Sequence, residues 1–323
     1  MIEPNPAFGE ASSTFQRLTD NVAKVIAGND DAIRTAAICL FADGNLLLEG
    51  VPGVGKTTLA RALATSIGGV FTRIQATPDL LPSDLTGVSL FDQANGAFRF
   101  VPGPIFANVV LVDEINRTTP RTQSALLEPM EERQVTVEGV THPLPKPYLV
   151  IATENPVEQH GTYPLPEGQL DRFALAVGVG YPDEGGATEL VRRQLSRHPL
   201  NDLEQVLSPE EIRTAQDAVR EVHVDEAVLR YAIELVTATR AAPELALGAS
   251  PRASVWLVRS AQARAIAMAR DYALPDDVKA LAIPVLAHRV LAKDARASGP
   301  TCRSVIARSL EEVPIPLHAA RGT

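Results

Sequence analysis

The run Gly50-Val51-Pro52-Gly53-Val54-Gly55-Lys56-Thr57 constrains this chain more than any other stretch. It satisfies the spacing G-x-x-x-x-G-K-[ST], preceded by the short run Leu46-Leu47-Leu48-Glu49 and followed by Thr58-Leu59-Ala60-Arg61-Ala62-Leu63-Ala64, a segment of strong helix propensity. A glycine loop between a buried strand and a helix is built to hold phosphate. The glycines let backbone N–H groups wrap a β-phosphate, the helix N-terminus adds positive potential, and the Lys56 ammonium reaches the β- and γ-phosphates. Thr57 places a hydroxyl where Mg²⁺ sits in such loops, and Thr58 starts the helix beside it. The expected ligand is a polyphosphate with bound Mg²⁺.

Two further apolar runs, residues 109–112 and 148–152, have the length and continuity of strands covered on both faces, so the first part of the chain reads as α/β with a parallel sheet. The first of these runs ends in Asp113-Glu114, which puts two carboxylates at the strand edge where open α/β sheets bind ligands. Asp113 is expected in the magnesium shell. Glu114 is placed to orient or deprotonate the water that attacks the γ-phosphate. Ahead of the loop, residues 14–42 have helical spacing interrupted around Gly28. Beyond about residue 186 strand signals disappear and helices dominate, as in residues 225–240 and 254–270, with turn residues at 181–186 forming a hinge. The expected division is 1–185, a nucleotide-binding αβα domain, and 186–323, a small all-α domain.

The 30 Lys and Arg against 39 Asp and Glu give a charge of −9, which argues against broad electrostatic capture of nucleic acid. No apolar run approaches the roughly 18–20 residues of a spanning helix, and the first ten residues have neither a basic start nor an apolar stretch, so a cytoplasmic protein is expected. Cys39 and Cys302 have no paired spacing, and Cys39 reads as a small buried residue. The six histidines show no metal-ligand spacing. Arginine exceeds lysine 25 to 5, in keeping with a GC-rich bacterial genome.

From Gly50 to Phe173 the chain resembles AAA+ ATPases of the MoxR family. Besides the glycine loop and Asp113-Glu114-Ile115-Asn116-Arg117, the resemblance rests on Asp79-Leu80-Leu81-Pro82-Ser83-Asp84-Leu85-Thr86-Gly87 and Gly103-Pro104-Ile105-Phe106-Ala107-Asn108. It continues through Thr122-Gln123-Ser124-Ala125-Leu126-Leu127-Glu128, Ala152-Thr153-Glu154-Asn155-Pro156, Gly161-Thr162-Tyr163-Pro164-Leu165-Pro166-Glu167 and Leu170-Asp171-Arg172-Phe173. Ser250-Pro251-Arg252 extends it into the helical part, which corresponds to an AAA+ lid.

The resemblance makes that polyphosphate ATP and implies further roles. Asn155 matches the sensor 1 amide that contacts the γ-phosphate or the attacking water. Arg172 matches the arginine finger, which would reach a neighbouring subunit's nucleotide; an ion pair with Asp171 or another acid is the alternative. Arg252 matches sensor 2, a lid arginine on the phosphates, with a plain surface arginine as the alternative. Val25 and Ile26 match the adenine side, although core packing would use the same residues. Residues 88–104 match the helix-2 insert and 132–149 the pre-sensor-1 hairpin. Phe98 and Phe100 are substrate contacts if the insert faces a pore, or simply pack the hairpin on its domain.

The family further implies a ring hexamer that couples hydrolysis to chaperone-like remodelling or maturation of a client protein. Its partner would be a separate protein with a von Willebrand factor A domain. A magnesium chelatase-like subunit is the competing reading, and a nucleic-acid motor a less favoured one. Asn29, Glu154 and Gly168 depart from the family pattern. Pro129 falls inside the expected helix 123–132, where it should kink or end it; Arg117 and Arg121, nearby, are further candidates for contacting a neighbour.

Overall fold

The computed structural model describes residues 6–51, 53–93, 95–154, 161–181, 185, 188, 199–294 and 298–316. Two helices open it, α1 (Pro6–Ala23) and α2 (Asp30–Phe41), and the chain turns between them at Gly28, whose φ is 70°. The break lies where the periodicity placed it, although α1 starts at Pro6, ahead of the expected residue 14. There follow β1 (Leu46–Glu49), α3 (Lys56–Ser66), β2 (Phe71–Gln75), α4 (Pro82–Thr86), the hairpin β3 (Gly87–Asp92) and β4 (Ala97–Pro102), and β5 (Val109–Asp113). Two short helices come next, α5 (Pro120–Ser124) and α6 (Leu127–Glu132), then the hairpin β6 (Gln134–Val137) and β7 (Val140–Pro143). β8 (Leu149–Glu154), α7 (Glu167–Leu170) and β9 (Leu175–Gly178) complete this part.

The main sheet has the order β2-β5-β8-β1-β9, and every neighbouring pair is parallel. Three of its strands are the apolar runs of the sequence; β2 and β9, at the two edges, were not expected. Successive side chains of a strand point to opposite faces, and here both faces are covered. Leu46, Leu48, Val109, Leu111, Leu149 and Ile151 join one core cluster, while Leu47, Val110, Val112, Val150 and Ala152 join the other. That double burial explains why these strands read as unbroken apolar runs. Because the order reverses on either side of β1, the loop after β1 opens at the C-terminal edge, next to the ends of β5 and β8.

The helical part contains α8 (Pro209–Glu221), α9 (Glu226–Ala241), the short strand β10 (Leu245–Leu247), α10 (Pro251–Ala267), α11 (Pro275–Leu286), β11 (Leu291–Ala292) and α12 (Ser298–Glu312). Caps set several of these starts. Ser208 and Glu211 form a reciprocal capping box before α8, and the Asp225 carboxylate accepts from Ala227 N at 2.8 Å before α9. The expectation of an all-helical lid is corrected in one detail, since β10 and β11 pair antiparallel. Helix α1 packs on α8 and α10, and Phe15, Leu40, Ile212 and Leu257 share the larger core cluster, so apolar packing runs continuously from the N-terminal helices into the helical part.

Pro129 acts on helix boundaries as its chemistry requires. Instead of one helix over 123–132, the chain forms α5 and α6 with a break at Ala125 and Leu126, and Pro129 lies in the first turn of α6. A first-turn N–H has no intrahelical partner, so its absence there costs no helical bond. Among the described residues no helix is long and apolar enough to cross a membrane. Cys39 and Cys302 are both buried, and neither is in a disulfide. The expected hinge at 181–186 lies mostly outside the described residues.

Candidate nucleotide site

The loop after β1 is shaped by glycine where other residues could not fit. Gly50, Gly53 and Gly55 have φ of 154°, 84° and 95°, and a Cβ on Gly50 would come within 2.4 Å of the Val179 carbonyl oxygen. Gly55 is the N-cap of α3, so the loop feeds directly into a helix N-terminus. Val51, Val54 and Thr58 are half-buried around it, and Gly53 is exposed. Lys56 is buried; its ammonium donates to the carbonyl oxygens of Gly50 at 2.6 Å and Glu154 at 3.2 Å. Burial lowers the Lys56 pKa, opposed by the charges of Asp113, Glu114 and Glu154. The lysine therefore closes the loop on itself across the ends of β1 and β8.

At the end of β5 the Asp113 carboxylate is fully engaged. Its Oδ1 accepts from Thr153 Oγ1 at 2.7 Å, and Oδ2 accepts from Arg73 Nη2 at 2.7 Å and Arg73 Nε at 3.1 Å. Thr57 Oγ1 lies 3.4 Å from the same Oδ2. The Thr57 hydroxyl and the Asp113 carboxylate thus offer two hard oxygens side by side, a donor set that fits Mg²⁺ held by one or two protein oxygens with water and phosphate completing the shell. Among the described residues no group of three or more His, Cys, Asp or Glu could hold a metal ion by itself.

Glu114 takes a left-handed conformation at φ 58° as the chain leaves β5, and this turns its side chain out of the strand direction. Its N–H donates to Thr153 Oγ1 at 2.8 Å, so one threonine fixes both members of the acidic pair. Gln75 Nε2 donates to Glu114 Oε2 at 3.2 Å, and Arg117 Nη1 reaches the same oxygen at 2.9 Å. Arg117, expected as a contact to a neighbour, is therefore paired within its own chain. Beside this group, Glu154 faces Glu49 in the β1–β8 register. Burial, and then the Glu49 charge, push the Glu154 carboxyl up to about 7 against the pull of Lys56.

Not all of the expected residues converge on the loop. Ile26 does: Val25 and Ile26 follow α1 and are buried at 4% and 8% exposure, and Ile26 Cδ1 lies 3.9 Å from the place a Cβ on Gly55 would occupy. Arg172 and Arg252 instead meet each other on a single carboxylate. Arg172 Nε lies 3.0 Å from Glu131 Oε2, and Arg252 Nη2 lies 2.5 Å from Glu131 Oε1. Pro52 and Asn155 lie outside the described residues. In the hairpins the two aromatics separate. Phe98 is 71% exposed and packs edge-on against Phe91, whereas Phe100 packs on Phe106 and stacks on His142.

Sequence reasoning missed Arg73, Gln75 and Glu131, and gave Thr153 no role. The first two sit on β2, whose Phe-Thr-Arg-Ile-Gln sequence has no apolar run to mark it. Only its pairing with β5, which sets Gln75 opposite Asp113, reveals them.

Comparison with known proteins agrees with this geometry. Residues 45–175 match the model of the ATPase family associated with various cellular activities (AAA), and residues 237–309 match the AAA lid domain. The fold and loop therefore define an AAA+ P-loop ATPase. Chaperone MoxR1 of Mycobacterium tuberculosis is 40% identical, over 97% of this chain and 86% of its own. YeaC of Bacillus subtilis, uncharacterised, is 45% identical, over 94% of this chain and 95% of its own. A solved protein from Cytophaga hutchinsonii, whose ATPase assignment is itself provisional, superposes with a TM-score of 0.88 at 38% identity, over 97% of this chain and 98% of its own. The chain belongs to the MoxR family of AAA+ ATPases.

Proposed function

We propose that the chain hydrolyses Mg-ATP within a ring of like subunits, a hexamer, and couples each turnover to chaperone-like remodelling or maturation of a client protein. The observation that carries the chemistry is the placement of Asp113 and Glu114 at the end of β5, with the Asp113 carboxylate 3.4 Å from the Thr57 hydroxyl of the phosphate loop. In this reading Lys56 and the loop N–H groups hold the β- and γ-phosphates, while Thr57 and Asp113 hold magnesium, which neutralises phosphate charge when bound. Glu114 accepts a proton from the attacking water, and Asn155 orients that water. Val25 and Ile26 border the adenine.

Arg172 then acts on the neighbouring subunit's nucleotide and Arg252 on its own, and the chain divides functionally into 1–185 and 186–323. The exposed Phe98 and Phe91 on the β3–β4 hairpin are the surface offered to a client or to a separate von Willebrand factor A-domain partner. Steady-state ATP hydrolysis against protein concentration, with native mass measured alongside, tests this. Specific activity that rises with assembly and is lost in Glu114→Gln and Arg172→Ala supports composite sites between subunits. Activity independent of concentration that survives Arg172→Ala refutes them.

A further inference from the structure

At the edge of the sheet opposite the phosphate loop, helix α8 and the approaches to β1 and β8 enclose a cavity of about 150 Å³. Asp43 precedes β1, and Lys146 and Tyr148 precede β8, so these three line it at the N-terminal edge; the phosphate loop follows β1 at the other. Arg213, Asp217 and Arg220 line it from α8, at spacings of four and three residues that share one helix face. Arg133, the C-cap of α6 at φ 55°, completes the charged lining.

Four cations thus line the cavity with two carboxylates. Asp43 divides itself between Arg220 Nη2, 3.0 Å from Oδ2, and Arg133 Nη2, 3.4 Å from Oδ1, while Asp217 Oδ1 takes Arg220 Nη1 at 2.8 Å. Arg213 pairs with Glu210 at 2.8 Å, and Lys146 has no ion pair among the described residues. A fifth cation is close by: burial, and then the Arg220 charge, lower the Arg259 pKa against the pull of Asp43. With Glu210 and Arg259 both counted, five cations stand against three acids, an excess of two positive charges. The ring of Tyr148 is 2% exposed and lies 5.4 Å from the Arg133 guanidinium, and its hydroxyl has no hydrogen-bond partner among the described residues. A buried hydroxyl left unpaired bears a desolvation cost that a bound acceptor removes.

We propose that this cavity is a second anion site, separate from the phosphate loop, which takes one phosphate group, free or at the end of a small monoester, and bridges α8 to the N-terminal edge of the sheet. The volume is that of about five waters at roughly 30 Å³ each, enough for one phosphate group and far below the roughly 300 Å³ or more of a pocket for a drug-sized ligand. Guanidinium groups present paired N–H donors to phosphate oxygens, Lys146 adds a point charge, and a dianion cancels the excess of two. The Tyr148 hydroxyl donates to one phosphate oxygen. Since Arg213 and Arg220 belong to α8 and Arg133 and Lys146 to the sheet side, the bound anion draws the two together.

The test is calorimetric titration with inorganic phosphate against chloride of matched ionic strength. Phosphate also fits the loop after β1, so that loop is first filled with magnesium and a non-hydrolysable ATP analogue, and the titration is repeated in Lys56→Ala without nucleotide. Phosphate is expected to bind once per chain in both forms, and to raise the melting temperature by about 2 °C or more at saturation. Lys146→Ala combined with Arg213→Ala should weaken that binding about tenfold or more. Tyr148→Phe should weaken it about three- to tenfold while leaving the melting temperature without phosphate unchanged, because the hydroxyl has no partner to lose. Glycerol phosphate separates the two sources: binding as tight as that of the free ion means that the site takes the end group of a monoester, and exclusion means that it takes the free ion, and either supports the site. Binding no stronger than that of chloride, binding lost in Lys56→Ala, or affinity unchanged in both cavity variants would overturn the proposal.

Discussion

Gln75 and Glu114 join the ends of β2 and β5 through a single hydrogen bond of 3.2 Å to Glu114 Oε2. Arg117 meets the same oxygen, so both of these side chains hold Glu114 by Oε2.

This anchoring gives two variants of different severity. Glu114→Gln is expected to bind ATP while losing about 100-fold or more in kcat, the scale of a lost general base. Gln75→Ala leaves the base in place and loosens its aim, and about a three- to tenfold loss in kcat with little change in KM is expected. Single-turnover kinetics separate the two, and wild-type kcat in Gln75→Ala would show that the hydrogen bond does not position the base.

Glu154 should make stability depend on pH near neutrality. Its carboxyl titrates near 7 in the fold, above its ordinary 4.5, because burial and Glu49 disfavour the charged form. A raised acid stabilises the fold fully below its unfolded pKa, and that contribution is lost as pH rises through the folded value. The full difference corresponds to at most about 3 kcal/mol. Melting temperatures of nucleotide-free, magnesium-free protein should therefore fall by a few degrees between pH 5 and 8 relative to Glu154→Gln, whose amide does not titrate. Parallel curves for the two proteins would contradict this.

Asp277 is the second place where charge is buried at stake. It is fully buried, accepts from Arg264 and from Arg270 Nη2 at 2.7 Å, and caps α11 by accepting from Leu274 N at 2.7 Å. Asp277→Ala strands two guanidinium groups and removes the cap, so a loss of about 3–5 kcal/mol is expected. Denaturant melts should show the midpoint falling, and a change below about 1 kcal/mol would mean that water replaces the carboxylate.

The exposed aromatic pair predicts the reverse pattern. Phe98→Ser removes a ring that is 71% exposed, so the melting temperature and basal ATP hydrolysis should stay close to wild type. Binding to a client or partner should weaken by tenfold or more if this ring is an interface anchor. A loss of stability above about 2 kcal/mol would place Phe98 in the packing of its own domain.

Much of this architecture was legible because its signals are local. Strands β1, β5 and β8 are buried on both faces, so their apolar runs stand out, and the glycine loop and Asp113-Glu114 follow them directly. β2 and β9 are edge strands: β2 is only partly buried and carries no such run, while β9 is apolar but only four residues long, ends in glycine and went unread. Arg73 and Gln75 went unread with them. Glu131 was hidden for a different reason: nothing in its neighbourhood along the chain distinguishes it from Glu128 or Glu132, and only the fold brings Arg172 and Arg252 to it from 41 and 121 residues away.

The rings of Phe100 and His142 lie face to face, 4.0 Å between centroids and 14° from parallel. They belong to different hairpins, so β3–β4 and β6–β7 are joined side by side near their bases. From β7 the chain runs directly into β8, the strand whose end carries Thr153 and Glu154, so one aromatic stack separates the β3–β4 hairpin from that strand.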